Sequence, residues 1–196
     1  MRVLHVDSSC RDAGSVSREV SEALVSRFQT AGYDVVRRDL GLAPPSVIDA
    51  VWIKANFTPE DKRTEEQKTK LHESDTLVSE LQSCDVIVIG APVYNFTIAA
   101  VLKLWVDQIT RVGLAFKYTP DGPVGLIDDE KKKKVIVIFS SGGTAMGAAN
   151  DFHSEYVRYI LGFIGLTNVT FIDAGRVLKD MEAKSKALET VEAMEL

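Results

Sequence analysis

Cysteine and histidine are scarce in this sequence: its 196 residues include two cysteines and three histidines. Cys10 and Cys84 are too few for a disulfide framework, and their spacing fits no cysteine or histidine motif for a metal. We therefore expect no metal site and no disulfide scaffold. Two isolated cysteines are typical of a protein from a reducing compartment.

Long apolar runs and flexible linkers are also missing. The first apolar stretch, Val3 to Val6, is too short for a signal peptide or a membrane span. No stretch rich in proline, glycine or serine divides the chain, so we expect one domain over residues 1–196. The expected location is cytoplasmic, with no membrane partner.

The sequence has no excess of positive charge. Its formal net charge is −5, which argues against a nucleic-acid partner because such binding depends on neutralising phosphates. The one basic cluster, Lys131 to Lys134, directly precedes an apolar segment. We expect this cluster to be a solvated turn.

What the sequence does contain is an alternation of apolar strands with helices. The central run, Asp85 to Gly90, is apolar after its first residue, which is typical of a strand buried on both faces of a parallel sheet. Apolar spacing predicts four further strands and five helices. The strands are predicted at 2–7, 33–39, 135–139 and 169–172, and the helices at 15–30, 60–82, 98–112, 153–164 and 180–194.

Five strands alternating with helices predict a three-layer α/β domain with a parallel sheet. Spacing alone does not give the strand order; we expect the flavodoxin-like order 2-1-3-4-5, which puts strands one, three and four side by side. Residues 113–127 surround a Pro-Asp-Gly turn and predict a hairpin extension, whereas residues 41–59 are predicted to be irregular. In this strand order, the loops after strands one, three and four meet at one edge of the sheet.

The loop after the first strand is rich in hydroxyls. It has neither a Walker A motif nor a dinucleotide fingerprint, but it places Ser9, Ser15, Val16 and Ser17 beside the first turn of a helix. Hydroxyls and free N–H groups at a helix start suit a phosphate monoester. The alternative is an ordinary N-cap and surface turn, in which serines are common.

The loop after the central strand carries Val93, Tyr94, Asn95 and Phe96 between that strand and the next helix. Flat aromatic faces and an amide that both donates and accepts suit a planar ring with polar edges. We predict that Asn95 lies nearest the polar edge of such a ring and that Phe96 packs against it. The alternative is a pair of core aromatics around a turn-forming Asn.

The loop after the fourth strand carries Ser140, Ser141, Gly142 and Gly143. The two glycines let the backbone approach a ligand closely, although a plain turn also accounts for them. Together, the three loops offer a site for one phosphate and a site for one planar ring. This combination of sites indicates FMN, although no single loop is sufficient to do so.

The same residues carry a resemblance to a known family. The sequence is similar to the FMN-dependent NADH-azoreductase and quinone reductase family over nearly its whole length. The matching motifs are Ser8-Ser9 with Ser15-Val16-Ser17, Pro92 to Ile98, Leu102 to Asp107, Arg111 to Gly113, Ser140 to Gly143 and Leu161 to Leu166.

This resemblance implies a flavodoxin-like homodimer with one FMN per subunit, an electron donor in NADH or NADPH, and quinones and aromatic azo compounds as acceptors. It implies a ping-pong, two-electron reaction in which FMN carries the chemistry and no side chain is catalytic. It also implies that Ser9 and Ser15 to Ser17 hold the phosphate, Val93 to Phe96 the ring, and Ser140 to Gly143 the other edge of the ring.

Two positions depart from the family pattern. Val93 stands where Met is common, and Ser141 stands where Arg is common. The second change removes a cation, which leaves the preference between NADH and NADPH open.

Two other functions are alternatives for this fold class. A flavodoxin-like electron carrier would bind FMN but would have a more acidic surface and no substrate pocket. A flavin-free receiver-type domain would need an acidic cluster and a phosphoacceptor Asp at the strand ends, and the second and third loops have neither. His153 is expected to be a core residue or to reach the site, and Trp52 and the hairpin are candidate dimer contacts.

Overall fold

The computed structural model describes residues 1–128 and 132–196, so Lys131 of the predicted basic turn lies outside the described residues. The strands are β1 (Arg2–Asp7), β2 (Asp34–Asp39), β3 (Val86–Tyr94), β4 (Thr97–Ile98), β5 (Phe116–Thr119), β6 (Gly122–Gly125), β7 (Lys134–Ser140) and β8 (Val169–Ala174). The helices are α1 (Val16–Thr30), α2 (Ala50–Phe57), α3 (Glu65–Ser83), α4 (Ala100–Ile109), α5 (Ser154–Phe163) and α6 (Ala183–Ala193), with a short 3₁₀ turn at Glu60–Lys62.

The main sheet has five parallel strands in the order β2-β1-β3-β7-β8. Counted among themselves, these five strands follow the predicted order 2-1-3-4-5, and the α/β flavodoxin-like class is confirmed. The sheet differs from the prediction in one strand, because β4 adds a two-residue antiparallel pairing to β3. Strands β5 and β6 form a separate antiparallel hairpin within the predicted extension.

The central strand shows why its sequence is apolar throughout. Ile87 and Ile89 face one core, which α3, α4 and α5 cover, whereas Val86 and Val88 face a second core under α1 and α6. Successive side chains of a strand point to opposite faces, so a sheet with helices on both sides needs apolar residues at every position. This is the three-layer arrangement expected from the sequence.

Residues 41–59 are partly helical, which corrects the prediction of an irregular connection. Asp49 caps α2 by accepting from the backbone N of Trp52 at 2.8 Å. Val51, Ile53 and Phe57 are exposed, while the opposite face is buried. Because apolar residues occupy both faces of α2, the segment lacks the polar stripe by which a surface helix is recognised in a sequence.

Trp52 is 3% exposed, and its indole Nε1 donates to Gln108 Oε1 at 2.9 Å. This burial argues against the candidate role of Trp52 as a dimer contact, because its side chain lies in the interior of the domain.

Arg111, just after α4, forms hydrogen bonds to both α2 and α3. Its guanidinium is fully buried and donates from Nε to Asn56 Oδ1 at 3.1 Å, and from Nη1 to Ser74 Oγ at 2.9 Å and Asp75 Oδ1 at 2.7 Å. Burial lowers the pKa of Arg111, and the nearby Asp75 carboxylate opposes that change. The packing of α2 and α3 against the end of α4 thus depends on the buried guanidinium of Arg111.

In the described part of the basic segment, Lys132 and Lys134 are exposed, as expected for a solvated turn, and hydrogen bonds hold its backbone in place. The Asp128 carboxylate accepts from the backbone N of Lys132 at 3.0 Å and of Lys133 at 2.8 Å, and Lys133 Nζ donates to the Gln82 carbonyl at 2.9 Å.

Across residues 1–128 and 132–196, no helix is both long and apolar enough to cross a membrane. The same residues contain no group of three or more His, Cys, Asp or Glu side chains arranged to hold a metal ion.

Candidate functional site

Three buried hydroxyls meet at the start of α1. Ser9, Ser15 and Ser17 are each at most 5% exposed, and Ser15 Oγ lies 2.8 Å from Ser9 Oγ and 3.2 Å from Ser17 Oγ. Ser15 is also the N-cap of α1, accepting from the backbone N of Arg18 at 3.4 Å. These hydroxyls bond chiefly to one another, so their hydrogens can turn toward a ligand that brings acceptor oxygens.

The second predicted loop is a hairpin turn, which corrects the expectation of a strand-to-helix loop. Strand β3 runs on through Tyr94 and pairs with β4, leaving Asn95 and Phe96 as the two central residues. Their φ angles are 50° and 71°, the left-handed region typical of a type I′ turn. A non-glycine residue there costs roughly 1–2 kcal/mol. Phe96 adopts this strained backbone conformation, and its ring is exposed. Backbone strain of this kind is typical of functional positions.

The third predicted loop is bonded to a loop that the sequence reasoning missed. Ser141 Oγ accepts from the backbone N of Arg176 at 3.0 Å, and the Gly142 carbonyl accepts from the backbone N of Leu178 at 3.0 Å. A Cβ on Gly142 would lie 3.0 Å from Leu178 Cδ1, so the glycine permits this close approach. The missed loop follows β8 and therefore reaches the same edge of the sheet. Its position directly after a predicted strand was the signal in the sequence that could have identified it.

One pocket joins most of the predicted site residues. Its walls come from the ends of β1, β3, β7 and β8 and from the start of α1. The lining residues are Ser9, Arg11, Ser15, Val16, Pro92, Val93, Tyr94, Ser140, Ser141, Gly142, Val177 and Leu178.

Four predicted site residues are not in this lining. Ser17 lies behind Ser15 in the hydroxyl cluster, Asn95 and Phe96 are exposed at the hairpin turn, and Gly143 follows the pocket wall. Tyr94 connects two loops, because its Oη lies 3.4 Å from Ser9 Oγ and accepts from the backbone N of Cys10 at 3.1 Å.

His153 is a core residue rather than a part of the pocket lining. It is fully buried, and its ring stands edge-on to the Phe139 ring at 5.1 Å between centroids. Neither ring nitrogen has a hydrogen-bond partner within the described part of the chain. Burial lowers the pKa of His153 to about 4, although Asp151 and the backbone of Ala91 act in the opposite direction. The imidazole is therefore neutral at physiological pH.

This burial predicts a loss of stability in acid. The folded pKa lies below the ordinary value of 6.5, so His153 contributes fully above pH 6.5 and its contribution falls as the pH drops toward 4. We expect this residue to account for about 2–3 kcal/mol of the stability lost between pH 7 and pH 4.5. Urea unfolding of wild type and His153→Phe at both pH values measures it, because Phe cannot take up the proton.

A matched control is His72→Gln, since His72 is exposed on α3. This variant should keep the acid sensitivity of the wild type. A His153→Phe variant that loses as much stability in acid as the wild type would contradict the prediction.

Comparison with known proteins identifies the family. The flavodoxin-like fold family matches residues 1–195. The FMN-dependent NADH:quinone oxidoreductase 1 of Jannaschia sp. (strain CCS1) is 47% identical over 193 residues, covering 98% of this chain and 97% of that protein. The enzyme of the same name from Colwellia psychrerythraea (strain 34H / ATCC BAA-681) is 45% identical over 196 residues, covering 97% and 100% of the two chains. The chain belongs to the FMN-dependent NADH:quinone oxidoreductase family, on a flavodoxin-like fold.

Solved structures agree with this family assignment. The azoreductase AzrA superposes with a TM-score of 0.88 at 29% identity and covers 97% of both chains. An azoreductase from Bacillus anthracis str. Sterne superposes with a TM-score of 0.86, also at 29% identity, covering 97% of this chain and 96% of that one. The family resemblance inferred from the sequence motifs is thus confirmed.

Proposed function

We propose that this protein is an FMN-dependent NAD(P)H:quinone oxidoreductase that also cleaves aromatic azo compounds reductively. The observation that carries the proposal is the position of the buried hydroxyl cluster, Ser9, Ser15 and Ser17, at the helix start beside a pocket that Tyr94 and Gly142 also line. The names of the close relatives and of the solved azoreductases support the same reaction class.

The chemistry of the pocket fits FMN at both ends. The hydroxyl cluster and the unpaired N–H groups at the start of α1 suit a phosphate, whose oxygens accept several hydrogen bonds. The apolar side chain of Val93 and the backbone around Gly142 line the pocket and offer surface for the ring to pack against. We infer that Ser9, Ser15, Val16 and Ser17 hold the phosphate, and that residues 93–96 and 140–143 hold the ring.

FMN, when bound, would supply the two-electron redox chemistry between NADH or NADPH and the acceptor. The chain supplies position and electrostatics. Of the described residues that line the pocket, none is a carboxylate or an imidazole, so the lining offers neither of the commonest general acids and bases. Backbone N–H groups directed at the ring would stabilise the negative charge that develops on it.

An enzyme fits better than an electron carrier because the pocket continues beyond the hydroxyl cluster. Val177 and Leu178 form an apolar wall at its mouth, and Leu178 is 82% exposed. An apolar wall beside a flavin suits a quinone or an aromatic azo compound. An electron carrier would need no such wall.

We also propose that the protein is a homodimer whose contacts include the exposed aromatic residues near the pocket. Phe96 and Phe152 are neighbours on the surface, since the backbone N of Phe152 donates to the Phe96 carbonyl at 3.1 Å. On the hairpin, Tyr118 and Val124 are exposed too. Sedimentation of the FMN-loaded protein tests this assembly.

The test of function is FMN binding followed by steady-state kinetics. The purified protein is expected to take up one FMN per chain and to oxidise NADH when only a quinone is added, giving parallel lines in double-reciprocal plots. FMN uptake without NADH oxidation would indicate a carrier, and intersecting lines would contradict the ping-pong order. No FMN uptake would overturn the proposal.

Phe96 offers a test in which stability and binding change in opposite directions. Replacing Phe96 with Gly removes the left-handed strain, so we expect the free energy of unfolding to rise by roughly 0.5–1 kcal/mol. Loss of the aromatic ring is expected to weaken FMN binding by about 3–10-fold. Thermal unfolding of the apoprotein and FMN titration measure the two effects.

Phe96→Leu is the matched control, because it keeps the strained backbone and removes only the aromatic ring. It should bind FMN as weakly as Phe96→Gly without the gain in stability. Wild-type FMN affinity in both variants would exclude a role for the ring.

A further inference from the structure

Arg18 connects two separate chain segments, the loop after β1 at Ser9 and the end of β2 at Asp39. Its Nη1 and Nη2 donate to the two carboxylate oxygens of Asp39 at 2.5 and 2.7 Å, and Nη2 also donates to the Ser9 carbonyl at 2.7 Å. The Asp39 carboxylate in turn accepts from the backbone N of Gly41 at 3.0 Å and of Leu42 at 3.1 Å. The guanidinium is therefore held in place by a carboxylate that is itself held by the backbone.

Gly41 lies close to the Ser9 carbonyl and also restricts its position. A Cβ built on Gly41 would lie 2.2 Å from the Ser9 carbonyl oxygen and 2.8 Å from Arg18 Nη2. Any side chain at this position would therefore have to displace the Ser9 peptide. The absence of a side chain at residue 41 and the hydrogen bond from Arg18 thus favour one position for the Ser9 carbonyl.

The position of this carbonyl determines which backbone group faces the pocket. The carbonyl of Ser9 and the N–H of Cys10 belong to the same peptide, and no described peptide bond is cis. In a planar trans peptide these two groups point in opposite directions. With the carbonyl held by Arg18, the Cys10 N–H points the other way and donates to Tyr94 Oη in the pocket lining at 3.1 Å.

We propose that Arg18 is a positioning residue: it fixes the Ser9–Cys10 peptide so that the Cys10 N–H, rather than the Ser9 carbonyl, faces the FMN site. This inference rests on the proposed function. A peptide rotated the other way would direct the negative end of the carbonyl dipole toward an anionic ligand. Arg18 would thus act on FMN through the orientation of a backbone donor.

Direct attraction between Arg18 and an anionic ligand contributes less than the orientation of the peptide, because nearby carboxylates already balance the charge of Arg18. Asp39 forms a bidentate pair with it, and Asp7 Oδ2 lies 3.5 Å from Nη1. The hydrogen bond from Arg18 lowers the pKa of Asp39, so the partner carboxylate stays ionised at neutral pH.

Two substitutions disturb the same peptide by different routes. Arg18→Lys keeps the positive charge but replaces the planar fork that spans Asp39 and the Ser9 carbonyl with a single nitrogen. Gly41→Ala leaves Arg18 in place and pushes the carbonyl away. Arg38→Gln is the control, because Arg38 lies on β2 next to Asp39 and pairs with Glu80 instead. FMN and riboflavin affinities are measured for each protein, with thermal unfolding of the apoproteins to confirm folding.

Both Arg18→Lys and Gly41→Ala are expected to lower the ratio of FMN to riboflavin affinity by about 10-fold, the effect of one lost hydrogen bond to a charged group. Arg38→Gln should leave the ratio unchanged. A wild-type ratio in Arg18→Lys would overturn the proposal, because it would show that charge alone is sufficient. A wild-type ratio in a folded Gly41→Ala protein would overturn it as well.

A second readout needs no cofactor. Hydrogen exchange of the Cys10 amide in the apoprotein should be slow in wild type and at least about 10-fold faster in Arg18→Lys, because the N–H loses its fixed partner. Equal exchange rates would overturn the proposed orientation. Failure of wild type to bind FMN would instead refute the proposed function, and amide exchange would still decide what Arg18 does to the peptide.

Discussion

Replacing Ser15 with Asp is expected to weaken FMN binding by at least about 100-fold while the domain remains folded. Ser15 lies in the centre of the hydroxyl cluster, 2.8 Å from Ser9 Oγ and 3.2 Å from Ser17 Oγ. Two negative charges about 4 Å apart repel by about 4 kcal/mol at an effective dielectric constant of 20, and 1.4 kcal/mol is a factor of ten. Fluorescence titration with FMN measures the loss.

Asp is suited to this test because it is as good an N-cap as Ser, so α1 keeps its start. Ser15→Asn is the control: it also caps a helix but adds no charge, and it should lose far less affinity than Ser15→Asp. Riboflavin, which has no phosphate, should bind to wild type and Ser15→Asp about equally. A Ser15→Asp protein that binds FMN like the wild type would place the phosphate elsewhere.

Removing the buried cation is the change with the largest expected effect on stability. Arg111→Ala deprives Asn56, Ser74 and Asp75 of a shared donor and leaves a cavity where α2, α3 and α4 meet. We expect the free energy of unfolding to fall by about 3–5 kcal/mol, because the buried Asn56 and Ser74 lose a donor and a cavity remains in the core. Asp75 contributes less to this loss, since its side chain is half exposed and water can solvate it. Tm should then fall by roughly 6–20 °C in a chain of this size.

Two further variants show where the stability comes from. Arg111→Met fills part of the cavity and should restore part of the loss, because the volume is kept although the hydrogen bonds are gone. Arg2→Ala removes an exposed arginine that pairs with Asp34 at the surface, and it should cost no more than about 1 kcal/mol. Equal losses in Arg111→Ala and Arg2→Ala would mean that the buried network adds nothing beyond an ordinary surface pair.

The sheet could be predicted because each strand carries its own signal. An apolar run such as that of β3 needs no distant partner to be recognised, and alternation with helices leaves few parallel topologies. Helix α2 could not be predicted in the same way. Its outer residues Val51 and Ile53 are apolar although they are exposed, so its two faces look alike in the sequence.

The turn at Asn95 and Phe96 shows a different limit of prediction from the sequence. Local preference argues against a left-handed Phe, and a chain judged residue by residue would not place one in a type I′ turn. The pairing of β4 with β3 overrides that preference, and this pairing is visible only when both strands are in place. The sequence located this turn after the central strand, but it did not indicate that the turn closes a hairpin.

Local patterns in the chain were sufficient to locate the strands of the main sheet, the hydroxyl-rich loop, the glycines after β7 and the family motifs, whereas spacing alone did not give the strand order. The contacts that shape the pocket join residues far apart along the chain: Ser9 with Tyr94, Ser141 with Arg176, and Arg18 with Asp39. None of these pairs has a spacing that marks it in the sequence. They exist because a parallel sheet brings the carboxyl ends of its strands to one edge, and the packing of side chains and peptides at that edge decides which groups touch.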